Sequence, residues 1–161
     1  MNHFDKAFEE LIGFEGGYSN DPFDAGGETN WGISKRQYPD LDIKNLTIED
    51  AKAIYFRDYW QGIGLDQIVN PNLATELFEQ GVNFGRYWAA YHLQRALNLL
   101  GKDLLLDGVI GPVTRKAANS YGDQAVLLKV LNGLQLMRYV EITSDNPTQK
   151  RFFVGWLKRV A

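Results

Sequence analysis

The chain has 161 residues with a net charge of −3, 45% hydrophobic and 23% charged residues, a balance that suits one compact globular body. It contains no cysteine, which excludes a disulfide framework and a cysteine nucleophile. The acidic balance argues against a nucleic-acid partner, since such proteins show a basic excess.

Met1–Lys6 lacks the basic start, apolar stretch and cleavage site of a signal peptide. The expectation is synthesis in the cytoplasm without a signal peptide. No apolar run approaches the length of a membrane span, so no integral membrane segment is expected. Phe4, Ala7, Phe8, Leu11 and Ile12 recur at helical spacing, and Gly13, Gly16 and Gly17 stop that helix. Residues 16 to 34 are dense in Gly, Asn, Asp, Ser and Pro and read as turns with a short hairpin. Thr47-Ile48-Glu49-Asp50 offers a cap with acidic residues in the first turn, opening a helix to Trp60 that Gly62 and Gly64 break. After the Asn70-Pro71-Asn72 turn, helical patterns run from Leu73 to Phe84 and from Trp88 to Leu100, interrupted near Gly85. Leu104–Pro112 is a turn reopening into a helix at Val113, and two further helices are expected near 123–142 and 148–160, separated by Ser144-Asp145-Asn146-Pro147. Trp60, Trp88 and Trp156 fall at apolar helical positions and are expected in the core.

Four basic residues, Lys150, Arg151, Lys158 and Arg159, follow Asp145 with no acidic residue among them. A solvated helix face accounts for this, as does attraction to an anionic polymer or membrane surface. His3 and His92 lack a carboxylate pair at ligand spacing, so no metal site and no cofactor are expected. The acidic loop Asn20–Glu28 fails the calcium-loop template, because Pro22 holds its third position and Ala25 its glycine position. No phosphate-binding glycine loop occurs, and Ser34 has no nearby histidine.

The glycine-rich segment is where chemistry is expected, as a loop between helices. Glu15 lies at a helix end between Phe14 and Gly16-Gly17. An apolar neighbour there can desolvate a carboxyl and raise its pKa, as a general acid requires. A chain doubling back through Gly16-Gly17 and Gly26-Gly27 would gather Glu15, Asp24 and Thr29 around one cleft. Glycosidic cleavage needs such parts: an acid for the leaving oxygen, a second carboxylate, and a polar group to hold water. Taken alone, Glu15 also fits a surface position, Asp24 an Asx turn and Thr29 a turn or strand. Tyr18 and Trp31 flank the acid, as saccharide platforms or as core anchors.

Phe14–Ser34 closely resembles the signature of the glycoside hydrolase family 108 muramidases, through Glu15, Gly16, Gly17, Tyr18, Asn20, Pro22, Asp24, Gly26, Gly27, Thr29, Gly32, Ile33 and Ser34. The resemblance implies that Glu15, which opens the Glu-Gly-Gly-Tyr motif, is the catalytic acid. Glu15, Asp24 and Thr29 are also similar in order to the catalytic trio of phage T4-type lysozymes, with one residue fewer between Asp24 and Thr29. Leu93-Gln94-Arg95-Ala96-Leu97 followed by Asp107-Gly108-Val109-Ile110-Gly111-Pro112-Val113-Thr114 resembles the predicted peptidoglycan-binding domain that follows family 108 catalytic segments. By itself the second motif reads first as a structural turn, with Pro112 in the first turn of a helix. The two resemblances span roughly residues 8 to 118. Relatives carry a Val-Asn-x-Gly element at Val82-Asn83-Phe84-Gly85, which makes Asn83 a candidate for a sugar N-acetyl group and equally a helix cap or kink.

These resemblances imply a mainly α, lysozyme-like fold with a small Gly-rich β-hairpin region near the N-terminus. The expected organisation is a catalytic segment over 1–70 and a peptidoglycan-binding helical region over 71–161, packed into one compact body. The implied activity is hydrolysis of the β-1,4 bond between N-acetylmuramic acid and N-acetylglucosamine. Glu15, Asp24 and Thr29 would be catalytic, and Tyr18, Asn20, Trp31 and Asn83 would bind substrate. The expected partner is the glycan strand of peptidoglycan, met by a monomer in the periplasm after holin-dependent release. Both a phage or prophage endolysin and a secretion-associated muramidase fit this pattern. The alternative is a non-catalytic peptidoglycan-binding or scaffold protein, against which the intact Glu15-Gly16-Gly17-Tyr18 argues.

Overall fold

The structure, a computed structural model, describes residues 3–14, 17–20 and 27–160. It divides into two compact units, Met1–Gly62 and Ile63–Ala161. The architecture is mainly helical, and the regular sheet among the described residues is one two-stranded antiparallel hairpin.

In the first unit, α1 (His3–Phe14) buries Phe4, Ala7, Phe8 and Leu11, one stripe of a helix. The hairpin strands β1 (Thr29–Asn30) and β2 (Ile33–Ser34) follow, then α2 (Ile48–Tyr55). Thr47 and Asp50 close a reciprocal capping box at the start of α2, as the acidic first turn suggested. The helical path continues as a wider π turn over Phe56–Gln61. It sets both Phe56 and Trp60 against the Phe4 ring, at centroid distances of 4.9 and 5.5 Å. Phe8 meets Tyr55 at 5.9 Å. Aromatic burial thus joins α1 to α2, with the Lys52–Asp5 ion pair at 2.6 Å on its rim.

The second unit holds α3 (Pro71–Phe84), α4 (Arg86–Leu99), α5 (Pro112–Ser120), α6 (Gln124–Asp145) and α7 (Lys150–Leu157). Asn70 caps α3 through the amides of Asn72 and Leu73, with Pro71 at its first position. Leu73, Leu77 and Phe78 of α3, Leu93 and Leu97 of α4, and Leu127 and Leu131 of α6 are completely buried. Two boundaries differ from expectation. Helix α6 runs through Ser144 and Asp145, because the constraint begins only at Asn146, held extended (φ −132°, ψ 92°) before Pro147. A short 3₁₀ turn, Pro147–Gln149, then precedes α7. Trp60 is buried as expected, whereas Trp88 and Trp156 are half-buried. The Arg138 guanidinium lies 4.0 Å over the Trp88 ring, and Trp156 stacks on Tyr139 at 5.1 Å.

A polar seam crosses this core. The fully buried Gln80 amide donates to Glu76 Oε1 at 2.8 Å and accepts from His92 Nδ1 at 2.7 Å. An amide oxygen only accepts, so the proton of neutral His92 sits on Nδ1. Burial pushes the Glu76 carboxyl up to about 7, outweighing the Gln80 donor. Burial, then the positive charges of Arg138 and Arg95, pushes His92 down to about 4. Both groups are therefore mostly neutral together between about pH 4 and about 7, with opposite effects on stability. The raised Glu76 value lowers stability as pH rises from 4.5 to about 7, and the depressed His92 value lowers it as pH falls from 6.5 to about 4. Each slope is about 1.4 kcal/mol per pH unit, so the two cancel where they overlap. Chemical denaturation across pH checks this. Relative to wild type, Glu76→Gln should gain stability progressively through that interval and level off above neutrality. His92→Asn should gain only as pH falls below 6.5. A difference curve flat with pH for either variant contradicts the assignment.

Candidate active site

The glycine-rich segment doubles back on itself. Ser19 and Thr29 form an isolated antiparallel bridge, each amide donating to the other's carbonyl at 2.8 Å. Thr29 then pairs with Ser34 and Asn30 with Ile33 across a two-residue turn, Trp31-Gly32. Both turn residues have positive φ, 51° and 76°, the geometry that matches the twist of a tight hairpin. Glycine adopts it freely; tryptophan does not, and external contacts hold Trp31 there. Its indole nitrogen donates to the Leu46 carbonyl at 3.1 Å, and its own carbonyl accepts from the Tyr55 hydroxyl at 3.1 Å.

Asn30 does more to fix this hairpin than any predicted residue. Its buried amide nitrogen donates to the carbonyls of Ile43 (3.1 Å) and Leu46 (3.2 Å), with Lys44 at 3.5 Å. Three carbonyls around one side-chain group determine which end is nitrogen. The irregular stretch 43–46 has no strand to satisfy it, so Asn30 takes the place of a ladder.

Of the predicted catalytic residues, Thr29 is described and sits half-buried between Ser19 and Ser34. Glu15 and Asp24 lie outside the described residues. Tyr18 and Asn20 flank the bridge residue Ser19, and both are exposed, Tyr18 by 44%. The hairpin therefore brings Tyr18, Asn20, Thr29 and Trp31 into one local assembly. The Tyr18 hydroxyl donates to Glu28 Oε1 at 3.0 Å, and that carboxylate holds the phenol above its usual pKa. Glu28 was not singled out from sequence. It stands between the motif residues Gly27 and Thr29, yet only the folded register shows that it reaches Tyr18.

Asn83 belongs to α3 of the second unit. Its amide nitrogen donates to the Tyr139 hydroxyl at 3.2 Å, and its oxygen accepts from Arg159 Nη1 at 2.7 Å. The second motif is also built from hydrogen bonds. Gln94, 1% exposed, donates to Asp107 Oδ1 (2.7 Å), the Val109 carbonyl (3.0 Å) and Thr114 Oγ1 (3.3 Å), and accepts from the Gly108 amide (3.0 Å). The Gln94 and Val109 donors hold the Asp107 carboxyl below the usual carboxylate range. Gly108 has φ +72°, and the Tyr87 ring occupies the space a Cβ would need, so no other residue fits this turn.

Residues 8–85 match the family Glycosyl hydrolase 108, and residues 88–161 match the Predicted Peptidoglycan domain. The solved structure of Brucella abortus SagA is similar at 27% identity and a TM-score of 0.78, covering 98% of this chain and 88% of that one. No curated protein sequence matches the chain. The mainly helical architecture is lysozyme-like, and the protein is a glycoside hydrolase active on peptidoglycan. The chain carries a glycosyl hydrolase 108 segment followed by the predicted peptidoglycan domain.

The bracket at Asn30 gives a direct test of the scaffold. Asn30→Ala removes a buried donor from the Ile43 and Leu46 carbonyls, which keep one donor each, the Leu46 amide and the Trp31 indole. Such hydrogen bonds contribute about 0.5–1.5 kcal/mol each. Urea denaturation should show that loss, and glycan cleavage should fall with it as the hairpin loosens. An unchanged unfolding midpoint would count against this role for Asn30.

Proposed function

We propose that this chain is a muramidase, cutting the β-1,4 bond between N-acetylmuramic acid and N-acetylglucosamine in bacterial peptidoglycan. The single observation that carries the reading is the Ser19–Thr29 bridge, which sets Ser19, between Tyr18 and Asn20, against Thr29. Glu15 is the proton donor to the leaving oxygen of N-acetylglucosamine. Water adds to the anomeric carbon of N-acetylmuramic acid, which becomes the new reducing end. Asp24 and Thr29 position that water or stabilise the oxocarbenium-like transition state. Tyr18, Asn20 and Trp31, gathered along the hairpin, contact the saccharide.

The substrate places the work in the periplasm, on the wall, after release from the cytoplasm. A phage or prophage endolysin passing through a holin meets that requirement, and so does a muramidase that opens the wall for secretion.

Digestion of purified peptidoglycan by wild type and Glu15→Gln tests the chemistry, with soluble fragments read by mass spectrometry and reducing-end analysis. Wild type should release fragments ending in reducing N-acetylmuramic acid. Glu15→Gln should stay folded and lose at least about a hundredfold in rate, the contribution of a general acid. Equal cutting by both proteins removes Glu15 from the mechanism. Binding of both to sacculi without cutting makes the chain a wall-binding module.

A further inference from the structure

The basic end of the chain is more than a solvated helix. Its inner side anchors it: Trp156 stacks on Tyr139 with rings 18° from parallel, and Arg159 donates to Asn83. Phe152 stacks on Trp156 from the same face, at 6.1 Å. The outer side carries Val154 and Leu157, which are 65% and 38% exposed. Lys150, Arg151 and Lys158 are exposed among them, and the Arg151 guanidinium lies 4.6 Å from the Phe152 ring centre. On α6, Leu136, Met137 and Val140, within one turn of the Tyr139 anchor, are exposed too. Six of the sixteen exposed large apolar side chains among the described residues thus fall between 136 and 157. The charge is equally local, since the chain as a whole is net −3 while everything after Asp145 is basic or neutral.

Solvation explains the lysines and arginines but not the valine and leucine beside them. A glycan polymer offers anionic groups without an apolar phase. A phospholipid interface supplies both, with phosphates at the depth of the basic side chains and the acyl boundary just below. None of the described helices is long and apolar enough to cross a membrane. The fit is therefore to a bilayer surface.

We propose that α7 docks this protein on an anionic phospholipid surface, Val154 and Leu157 entering the interface while Lys150, Arg151 and Lys158 meet lipid phosphates. Such docking would hold the enzyme at the membrane beside its polymer, and it does not depend on which glycan bond is cut.

Flotation of the full chain tests this, with vesicles of phosphatidylcholine alone and of phosphatidylcholine and phosphatidylglycerol in equal parts. Wild type should float only with the anionic vesicles and detach as salt is raised. Arg151→Gln combined with Lys158→Gln should weaken binding by about tenfold or more. Val154→Ser combined with Leu157→Ser should also weaken it. Both variants should keep the wild-type melting temperature and cleave soluble peptidoglycan fragments at the wild-type rate. Equal flotation on both vesicles, flotation on neither, or folded variants that bind as wild type would overturn the proposal. So would salt-sensitive binding to purified sacculi without binding to vesicles, which would assign the basic end to the wall polymer. Because the vesicles contain no glycan, failure here leaves the muramidase reading intact, and loss of cutting leaves this one intact.

Discussion

Backbone groups in irregular segments need hydrogen-bond partners when buried, and this chain meets that need with side-chain amides. Asn30 satisfies the 43–46 loop beside the hairpin. Asn98 holds residue 104 from both ends, donating to its carbonyl at 2.8 Å and accepting from its amide at 2.7 Å. Gln94 closes the 107–114 turn, and Asn119 ties α5 to the backbone of Gln67 and Val69. An amide suits the task because it carries both donors and acceptors with no charge to desolvate. The same constraint shapes the Glu76–Gln80–His92 seam, where an amide bridges two titratable groups whose burial disfavours the charged form of each.

The helices were legible because their signals are local. Phe4 through Leu11 announce α1 by spacing, Thr47 and Asp50 announce the start of α2 by capping chemistry, and Gly85 marks the break between α3 and α4. Its φ of +93° is one that other residues avoid. Ser144 and Asp145 misled because propensity alone does not stop a helix that has further turns to extend. The proline at 147 does, acting through the residue before it. The doubling back of the glycine-rich segment was also legible, from paired glycines on either side of it. The Trp31 conformation was not, since a tryptophan at positive φ runs against its local preference and is held by Leu46 and Tyr55, fifteen and twenty-four residues away. Asn83 shows the same limit. Its partners lie 56 and 76 residues further along the chain, and no spacing rule reaches that far.

The two sequence motifs differ in a way that only the structure reveals. In the second, Gln94 and Thr114 are 1% and 5% exposed, Gly108 is the only residue its site accepts, and Asp107 accepts from Gln94 and Val109. Packing and hydrogen bonding account for every one of these residues, so the motif would persist in any protein that kept this turn, whatever it bound. In the first, Asn30 and Ile33 are buried and structural, whereas Tyr18 and Asn20 stand exposed on the strand that pairs with Thr29. Folding alone does not require a tyrosine at an exposed position, and its bond to Glu28 is a surface contact of small energetic value. A motif position that packing does not explain is better explained by what the side chain meets from outside. By that reasoning the exposed positions of the hairpin have no structural duty, whereas the turn at Gly108 is part of a scaffold.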